Sequence, residues 1–405
     1  MNLNSYQQAL IWKNQNNLAL AITYFEKSIS ECSFIKESFL ELANIYSINE
    51  DFYNKAIFFY EKYLELDSKK SLVFNILGHL YNRTGNIEKS YEYLSKALLL
   101  DPSDKNIISN KLFALQKLDN FSQKEIFDIT KSCINEYKKT INIKKFEHKK
   151  KKNKDKIHIG YLSGDFNQHV IMLYLLPILE NHDRNNFNIT CYSNTKLEEE
   201  DLYTIKAELA SDNFRNIFEL SDFELSKTIY EDNIDILVDL SGHTAKSRVF
   251  TTMYKPAPIQ VSYLGFPNTT GIDEIDYFLT NKNLNSIKEE NNFSEKLYFL
   301  DSCYRCFKPD EKMIPDFNEL PMIKNNYITF GIFNDLSKIN ESVYEIWSQI
   351  LHQVKNSKLF ICRNTIIEKT IYEKFAKYGI ERNRLILDKE FDLSKYNQVD
   401  IHIVV

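Results

Sequence analysis

Through its first third the chain places apolar residues at a helical period, and the pattern itself recurs. Ala21-Ile22-Thr23-Tyr24-Phe25-Glu26-Lys27, Ala56-Ile57-Phe58-Phe59-Tyr60-Glu61-Lys62 and Ser90-Tyr91-Glu92-Tyr93-Leu94-Ser95-Lys96 align at steps of about 34 residues. Upstream of the second and third copies, Leu42-Ala43-Asn44-Ile45-Tyr46 matches Leu77-Gly78-His79-Leu80-Tyr81. In each unit a small residue, Ala43 or Gly78, lets two antiparallel helices approach, and an aromatic, Tyr46 or Tyr81, fills the gap. Asp101-Pro102 closes the last unit.

This spacing is that of tetratricopeptide repeats, which bury their faces by stacking and leave a concave groove. Such a groove takes a protein or peptide partner; equally, the array serves as a dimerisation surface or scaffold. After a weaker helical stretch, Phe121 to Lys139, the run from Lys144 to Lys156 is dominated by lysine and reads as a solvated linker.

From Lys156 the period changes to short β-rich runs separated by helical segments. Strands are predicted at 157–163, 187–193, 234–240 and 259–264, with helices at 169–181, 198–211 and 223–232 between them. A second unit follows, with strands at 327–333, 358–362 and 385–387, helices at 341–354 and 365–378, and a last strand opening at Asp400. Strands alternating with helices imply mainly parallel, doubly wound sheets that bind ligands beyond the carboxyl ends of their strands. The expected fold class is α plus α/β: helical repeats, then two Rossmann-like lobes of the GT-B kind, the second incomplete. The divisions expected are a repeat array over 1–120, a helical connector and basic linker over 121–155, a first lobe over 156–320 and a partial second lobe over 321–405.

Composition narrows the function classes. A 405-residue chain that is 43% hydrophobic and 14% aromatic can bury a core in each unit, and its net charge of -5 argues against general binding to nucleic acid or anionic membranes. The start, MNLNSYQQALIWKNQ, lacks a charged-then-apolar leader, no stretch reaches about 18 apolar residues, and the six cysteines are too sparse for a disulfide framework. A cytoplasmic location is expected. No G-x-G-x-x-G opens a helix and no P-loop is present, which removes the usual phosphate cradles of dehydrogenases and nucleotidases. Cys303 and Cys306 form one C-x-x-C pair without further ligands, so no metal site is expected.

Candidate chemistry gathers at strand ends. His169 follows the first strand and the acidic Asp165, placed to act as a base or to hydrogen-bond a ligand near neutral pH. His243 lies at another strand end, where Gly242 permits close backbone approach; Lys246 and Arg248 behind it either meet phosphate or solvate a helix start. Lys338, between a strand and a helix start, is either an ordinary loop lysine or an ammonium set where a phosphate binds. Thr269 and Thr270 sit in a polar loop, Gly265 to Gly271, that either touches a ligand or only turns the chain.

Taken in order, the repeats and then KIHIGYLSGDFNQHV, IDILVDLSGHTAKSR, KPAPIQVSYLGFPNTTGIDEIDYFLTN, SEKLYF and ITFGIFNDLSKI resemble the O-GlcNAc transferase and Spindly-type glycosyltransferases from about residue 20 onward. The resemblance implies metal-independent, inverting transfer of a sugar from a nucleotide-sugar donor, UDP-GlcNAc by preference, to Ser or Thr of a protein presented by the repeats, with no cofactor. By the same resemblance His169 matches an active-site histidine, and His243, the second catalytic candidate, stands in the wall of the cleft. Lys338 matches a lysine on the donor diphosphate, Asn334 stands in the same donor loop, and Gly242, Thr244, Thr269 and Thr270 line the cleft. Val170 stands where the family has Pro, and Asp335 where it has an amide. The chain stops at Val405, where the family continues into further donor-binding segments. It is therefore expected to be a truncated or split member, inactive alone or completed by a C-terminal fragment, or else a non-catalytic repeat-based binding scaffold. A homo-oligomer is the other partner the repeats allow.

Overall fold

The computed structural model describes residues 3–148, 155–309, 316, 318–334, 336, 339–362, 368–390 and 392–403. Its contacts divide into two compact units, Met1–Asp101 with Pro315–Val405 and, between them in sequence, Pro102–Ile314.

The first unit opens with three antiparallel helix pairs: α1 (Ser5–Asn14) with α2 (Leu18–Ser30), α3 (Ile35–Tyr46) with α4 (Tyr53–Leu66), and α5 (Ser71–Arg83) with α6 (Ile87–Leu100). Side-chain caps set where these helices start. Asn4, Asn17 and Asn86 each accept a backbone N–H of the first turn, satisfying donors that have no partner inside the helix. One continuous core joins the pairs through Phe25, Leu42, Ala43, Tyr46, Tyr60, Leu77 and Tyr81. Gly78 does what its spacing predicts: Ser90 Oγ donates to its carbonyl at 2.7 Å, and a Cβ there would stand 2.8 Å from Leu94 Cδ2 and closer still to Cγ. Tyr81 stacks on Tyr93 with ring centroids 5.3 Å apart, and both hydroxyls donate to Glu61. The same unit contains a parallel four-stranded sheet built from β8 (Thr329–Ile332), β9 (Lys358–Ile361), β10 (Leu385–Leu387) and β11 (Ile401–His402), numbered after the seven strands of the other unit. Its order is β10-β9-β8-β11, and α12 (Pro321–Asn325), α13 (Glu341–Gln353) and α14 (Glu368–Ala376) accompany it.

The second unit begins with α7 (Lys105–Leu115) and α8 (Gln123–Thr140), then forms a seven-stranded sheet. Its strands are β1 (Ile157–Ser163), β2 (Phe187–Ser193), β3 (Asn213–Asn216), β4 (Ile236–Asp239), β5 (Ile259–Ser262), β6 (Tyr277–Thr280) and β7 (Lys296–Phe299). All neighbours pair in parallel in the order β3-β2-β1-β4-β5-β6-β7, with α9 (Val170–Glu180), α10 (Leu202–Leu209) and α11 (Asp222–Glu231) in the crossovers. The near-continuous apolar runs of β1 and β4 are what a sheet covered on both faces requires, and their side chains meet Met172, Leu175 and Leu179 of α9 in the main core.

Three expectations are corrected. The helix expected over 198–211 is a short 3-10 turn, Leu197–Glu199, followed by α10, because Asp201 accepts the N–H groups of Tyr203 and Thr204 and starts a new helix there. Residues 144–148 are not a free solvated linker: Phe146 stacks on Tyr230, its N–H donates to Tyr254 O, and Lys145 pairs with Glu274. The rest of the lysine run, 149–154, lies outside the described residues. Strands β3, β6 and β7 extend the sheet beyond what the sequence pattern announces.

Overpacking sets an expectation for the repeats. Gly78→Ala gains helix propensity of about 1 kcal/mol but drives a methyl into Leu94, and the net outcome is a loss of about 1–2 kcal/mol. Denaturant melts followed by circular dichroism check this, and in a double-mutant cycle with Leu94→Ala the pair costs less than the sum of the two single changes.

Candidate functional site

In the seven-stranded sheet the strand order reverses between β1 and β4, the position at which parallel sheets of this kind hold their ligands beyond the strand ends. The β1 loop carries Gly164, Asp165 and His169; the β4 loop carries Ser241, Gly242, His243 and Lys246. The two loops touch. A Cβ on Gly164 would lie 2.7 Å from Lys246 O, and Asn194 Nδ2 donates to that same carbonyl at 2.8 Å.

His169 is the N-cap of α9: its Nδ1 accepts Ile171 N–H at 3.3 Å while the ring stays 44% exposed. Asp165 Oδ2 stands 3.7 Å from Nδ1. Burial raises the Asp165 carboxyl above its ordinary range, and His169 and Lys246 oppose that shift. With Nδ1 accepting from the helix, the neutral ring carries its proton on Nε2, the nitrogen left to meet a ligand.

His243 is placed otherwise. It is 1% exposed, its Nε2 donates to Thr270 O at 2.8 Å, and its Nδ1 accepts from Ser109 Oγ on α7 at 3.2 Å. A carbonyl only accepts, which fixes this tautomer. Burial pulls its pKa down to about 4, so the ring is neutral through ordinary pH. Phe250 and Phe266 meet it edge-on. Gly242 precedes it with φ +54, and a Cβ there would sit 2.9 Å from Phe266 Cγ, so both conformation and space call for glycine. The Gly242 N–H donates to Asp239 Oδ2 at 2.7 Å. Asp239 is buried at the end of β4, its pKa is pushed up to about 7 by desolvation, and no described residue partners its Oδ1.

Thr269 and Thr270, expected on the cleft wall, turn inward to Glu295. Thr269 Oγ1 donates to Glu295 Oε2 at 2.7 Å, Thr270 N–H to Oε1 at 2.8 Å, and Thr270 Oγ1 makes a further bond to Oε1. Burial raises the Glu295 carboxyl, and these bonds oppose the shift. Thr244, half-exposed, donates to Ser241 O at 2.9 Å. Arg248 is tied into the protein through Asp222, Asn194, Ile217 O and Leu220 O, and Lys246 pairs with Glu199, so the basic pair is engaged by protein groups. In the other unit, Asn334 follows β8 half-exposed. Lys338 and Asp335 lie outside the described residues. Among the described residues no group of three or more His, Cys, Asp or Glu side chains is set to hold a metal, and no helix is long and apolar enough to cross a membrane.

Sequence reasoning passed over Asp239, Glu295 and Ser109. Glu295 stood in a quoted motif, SEKLYF, but an acid before a strand gives no sign that two threonines 25 and 26 residues earlier will enclose it.

Asp239 and His243 drive stability in opposite directions with pH. Between its ordinary value near 4 and about 7, native Asp239 holds a proton that the unfolded chain has released, so stability falls as pH rises. Between about 4 and 6.5, native His243 stays neutral while the unfolded chain takes up a proton, so stability rises with pH. Relative to the parent, Asp239→Asn should gain stability as pH climbs from 4 to 7, by at most about 1.4 kcal/mol per pH unit. His243→Asn should fare relatively better as pH drops below 6.5. Urea melts across this range measure both differences, and pH-independent differences would show that neither group is held in its neutral form.

With this geometry in view, comparison with known proteins is direct. The family model described as Glycosyl transferase family 41 matches residues 115–327, and a tetratricopeptide repeat model matches 37–70 and 73–104. A rice (Oryza sativa subsp. japonica) relative, the probable UDP-N-acetylglucosamine–peptide N-acetylglucosaminyltransferase SPINDLY, is 30% identical over 299 residues, covering 72% of this chain and 32% of its own length. The UDP-N-acetylglucosamine–peptide N-acetylglucosaminyltransferase of Caenorhabditis elegans is 30% identical over 152 residues, 36% of this chain and 13% of that one. The chain thus spans about a third of the length of the SPINDLY relatives it matches. The O-GlcNAc transferase structure from Thermobaculum terrenum superposes with a TM-score of 0.80 over 99% of this chain and 79% of that chain, at 23% identity, which establishes the shared fold. Repeats, a parallel α/β unit with its crevice at β1 and β4, and a family match across half the chain lead to one conclusion: the protein belongs to glycosyl transferase family 41.

Proposed function

We propose that the chain works as the repeat and catalytic part of a cytoplasmic protein O-glycosyltransferase, moving GlcNAc from UDP-GlcNAc to Ser or Thr hydroxyls of proteins held by the repeats. The observation that carries this reading is the half-exposed His169, fixed by the start of α9 at the β1/β4 crevice of a family 41 unit. In the transfer, the acceptor oxygen bonds to the anomeric carbon as the bond from that carbon to the diphosphate breaks. The electron pair leaves with the diphosphate, and the hydroxyl proton needs an acceptor. His169, with Nδ1 engaged by the start of α9 and its proton on Nε2, serves as the hydrogen-bonding group that orients the reactants, and the hydroxyl proton passes to water or to an oxygen of the departing diphosphate. Lys338 and Asn334 serve the diphosphate, an ammonium and an amide answering the charge that grows on the leaving group. Gly242 and Thr244 shape the end of β4 in the sheet unit that carries His169, and His243, neutral and buried, positions the Thr270 loop.

The inward turn of His243, Thr269 and Thr270 favours a second reading, in which the sheet unit is a scaffold and the repeats are the working surface of a binding protein. Titration calorimetry with UDP, UDP-GlcNAc and GDP-fucose separates the two. Transferase function predicts binding of UDP and UDP-GlcNAc, weakened at least about tenfold by Lys338→Ala. His169→Ala should leave UDP binding in place and lower peptide glycosylation by roughly 10²–10⁴-fold. No heat with any nucleotide favours the scaffold.

A further inference from the structure

The connection from β2 to β3 carries an apolar face that the sheet leaves uncovered. Leu197, Leu202, Ile205 and Leu209 are 74%, 60%, 52% and 82% exposed. Leu202, Ile205 and Leu209 recur at the spacing that puts side chains on one face of α10. A single exposed leucine is ordinary; several on one turn and the helix after it form a patch. Beside them opens a cavity of about 380 Å³, walled by Leu197, Ile205 and Phe214 on its apolar side and by Glu200, Asp201 and Glu208 on its acidic side.

The walls are built rather than loose. Phe166 meets Phe214 edge-on with centroids 5.7 Å apart. Asn216 Nδ2 donates to Glu200 Oε1 at 2.8 Å, and Gln168 N–H donates to Asp201 Oδ2 at 2.6 Å. These partners are neutral amides, which orient carboxylates without cancelling their charge. None of the described residues lining the cavity is Lys or Arg. Thr204 Oγ1 donates to Phe166 O at 2.6 Å, so α10 is tied to the loop that carries His169.

We propose that this groove docks a basic, amphipathic segment of a protein partner. Aliphatic side chains of the segment lie on Leu197, Ile205 and Leu209, and its Lys or Arg residues face Glu200, Asp201 and Glu208. Charge selects this occupant. A second copy of the same face would bring three carboxylates against three more, and an anionic lipid surface would be repelled in the same way.

The test is fluorescence anisotropy of the full chain with a labelled amphipathic Leu/Lys peptide of helical period, and with a Leu/Glu peptide of the same pattern as control. The Leu/Lys peptide should bind and the Leu/Glu peptide should not. Ile205→Ser with Leu209→Ser, and separately Glu200→Gln with Glu208→Gln, should each weaken binding at least about tenfold. These substitutions are on exposed or cavity-facing positions, and circular dichroism verifies that the fold is kept. Added salt should weaken the parent more than the glutamine variant. The proposal is overturned if the Leu/Lys peptide fails to bind, if either double variant binds it as the parent does, or if the Leu/Glu peptide binds equally. A concentration-dependent dimer that Ile205→Ser with Leu209→Ser dissolves would also overturn it, by giving the groove to a second copy.

Discussion

A buried carboxylate organises the large sheet unit. Glu295 takes the hydroxyls of Thr269 and Thr270 and the amide of Thr270, which turns that residue's side chain toward β7. Its carbonyl is thereby left to His243, so one threonine couples the loop before β7 to the loop after β4. From His243 the chain of contacts runs back through Gly242 to Asp239, and forward through Ser109 to α7. Asn268 adds bonds to Gln116 and Gln123, and Lys131 of α8 donates to Gly271 O. Each buried polar group left without a partner would cost about 1–3 kcal/mol, so the network holds as a set and defines one geometry for the crevice floor.

That constraint separates the two histidines. Both follow a parallel strand, and a parallel sheet delivers such loops to the same rim. His243 has a carbonyl on one nitrogen and a hydroxyl on the other inside an aromatic wall, so no nitrogen remains for a ligand and its proton affinity is depressed. His169 spends one nitrogen on a helix start and keeps the other at the open side. Capping orients the imidazole without burying it, whereas enclosure makes it structural. Equal sequence settings therefore yield an accessible imidazole in one loop and a brace in the other.

What was legible in the sequence follows from the range of the interactions involved. Ala43, Gly78, Tyr46 and Tyr81 announce the repeats because helix contact recurs at a fixed spacing. Strands β1 and β4 announce themselves because burial on both faces demands an apolar run. The Asn213–Asn216 strand does not, since at the sheet edge Phe214 is its single apolar side chain and the polar residues around it look like a turn. Thr269 and Thr270 read as an open polar loop, and only a partner 25 residues on makes them interior. Phe146, set among lysines, likewise gives no local hint of its stack on Tyr230. Short-period patterns could be read; pairings between distant segments could not.

The edge at β3 also explains why the apolar face of α10 stands out. An exposed edge strand invites pairing with other chains, and here it is short and carries Asn213, Arg215 and Asn216, side chains that discourage such pairing. Protection of this kind at the strand contrasts with four exposed aliphatic residues on the segment just before it. A surface under general pressure for solubility would keep the polar strand and lose the exposed leucines. The polar strand removes the backbone route to association, while the acidic wall beside the leucines restricts the side-chain route to partners of opposite charge. The two features together leave this corner of the sheet unit open to one kind of partner and closed to most others.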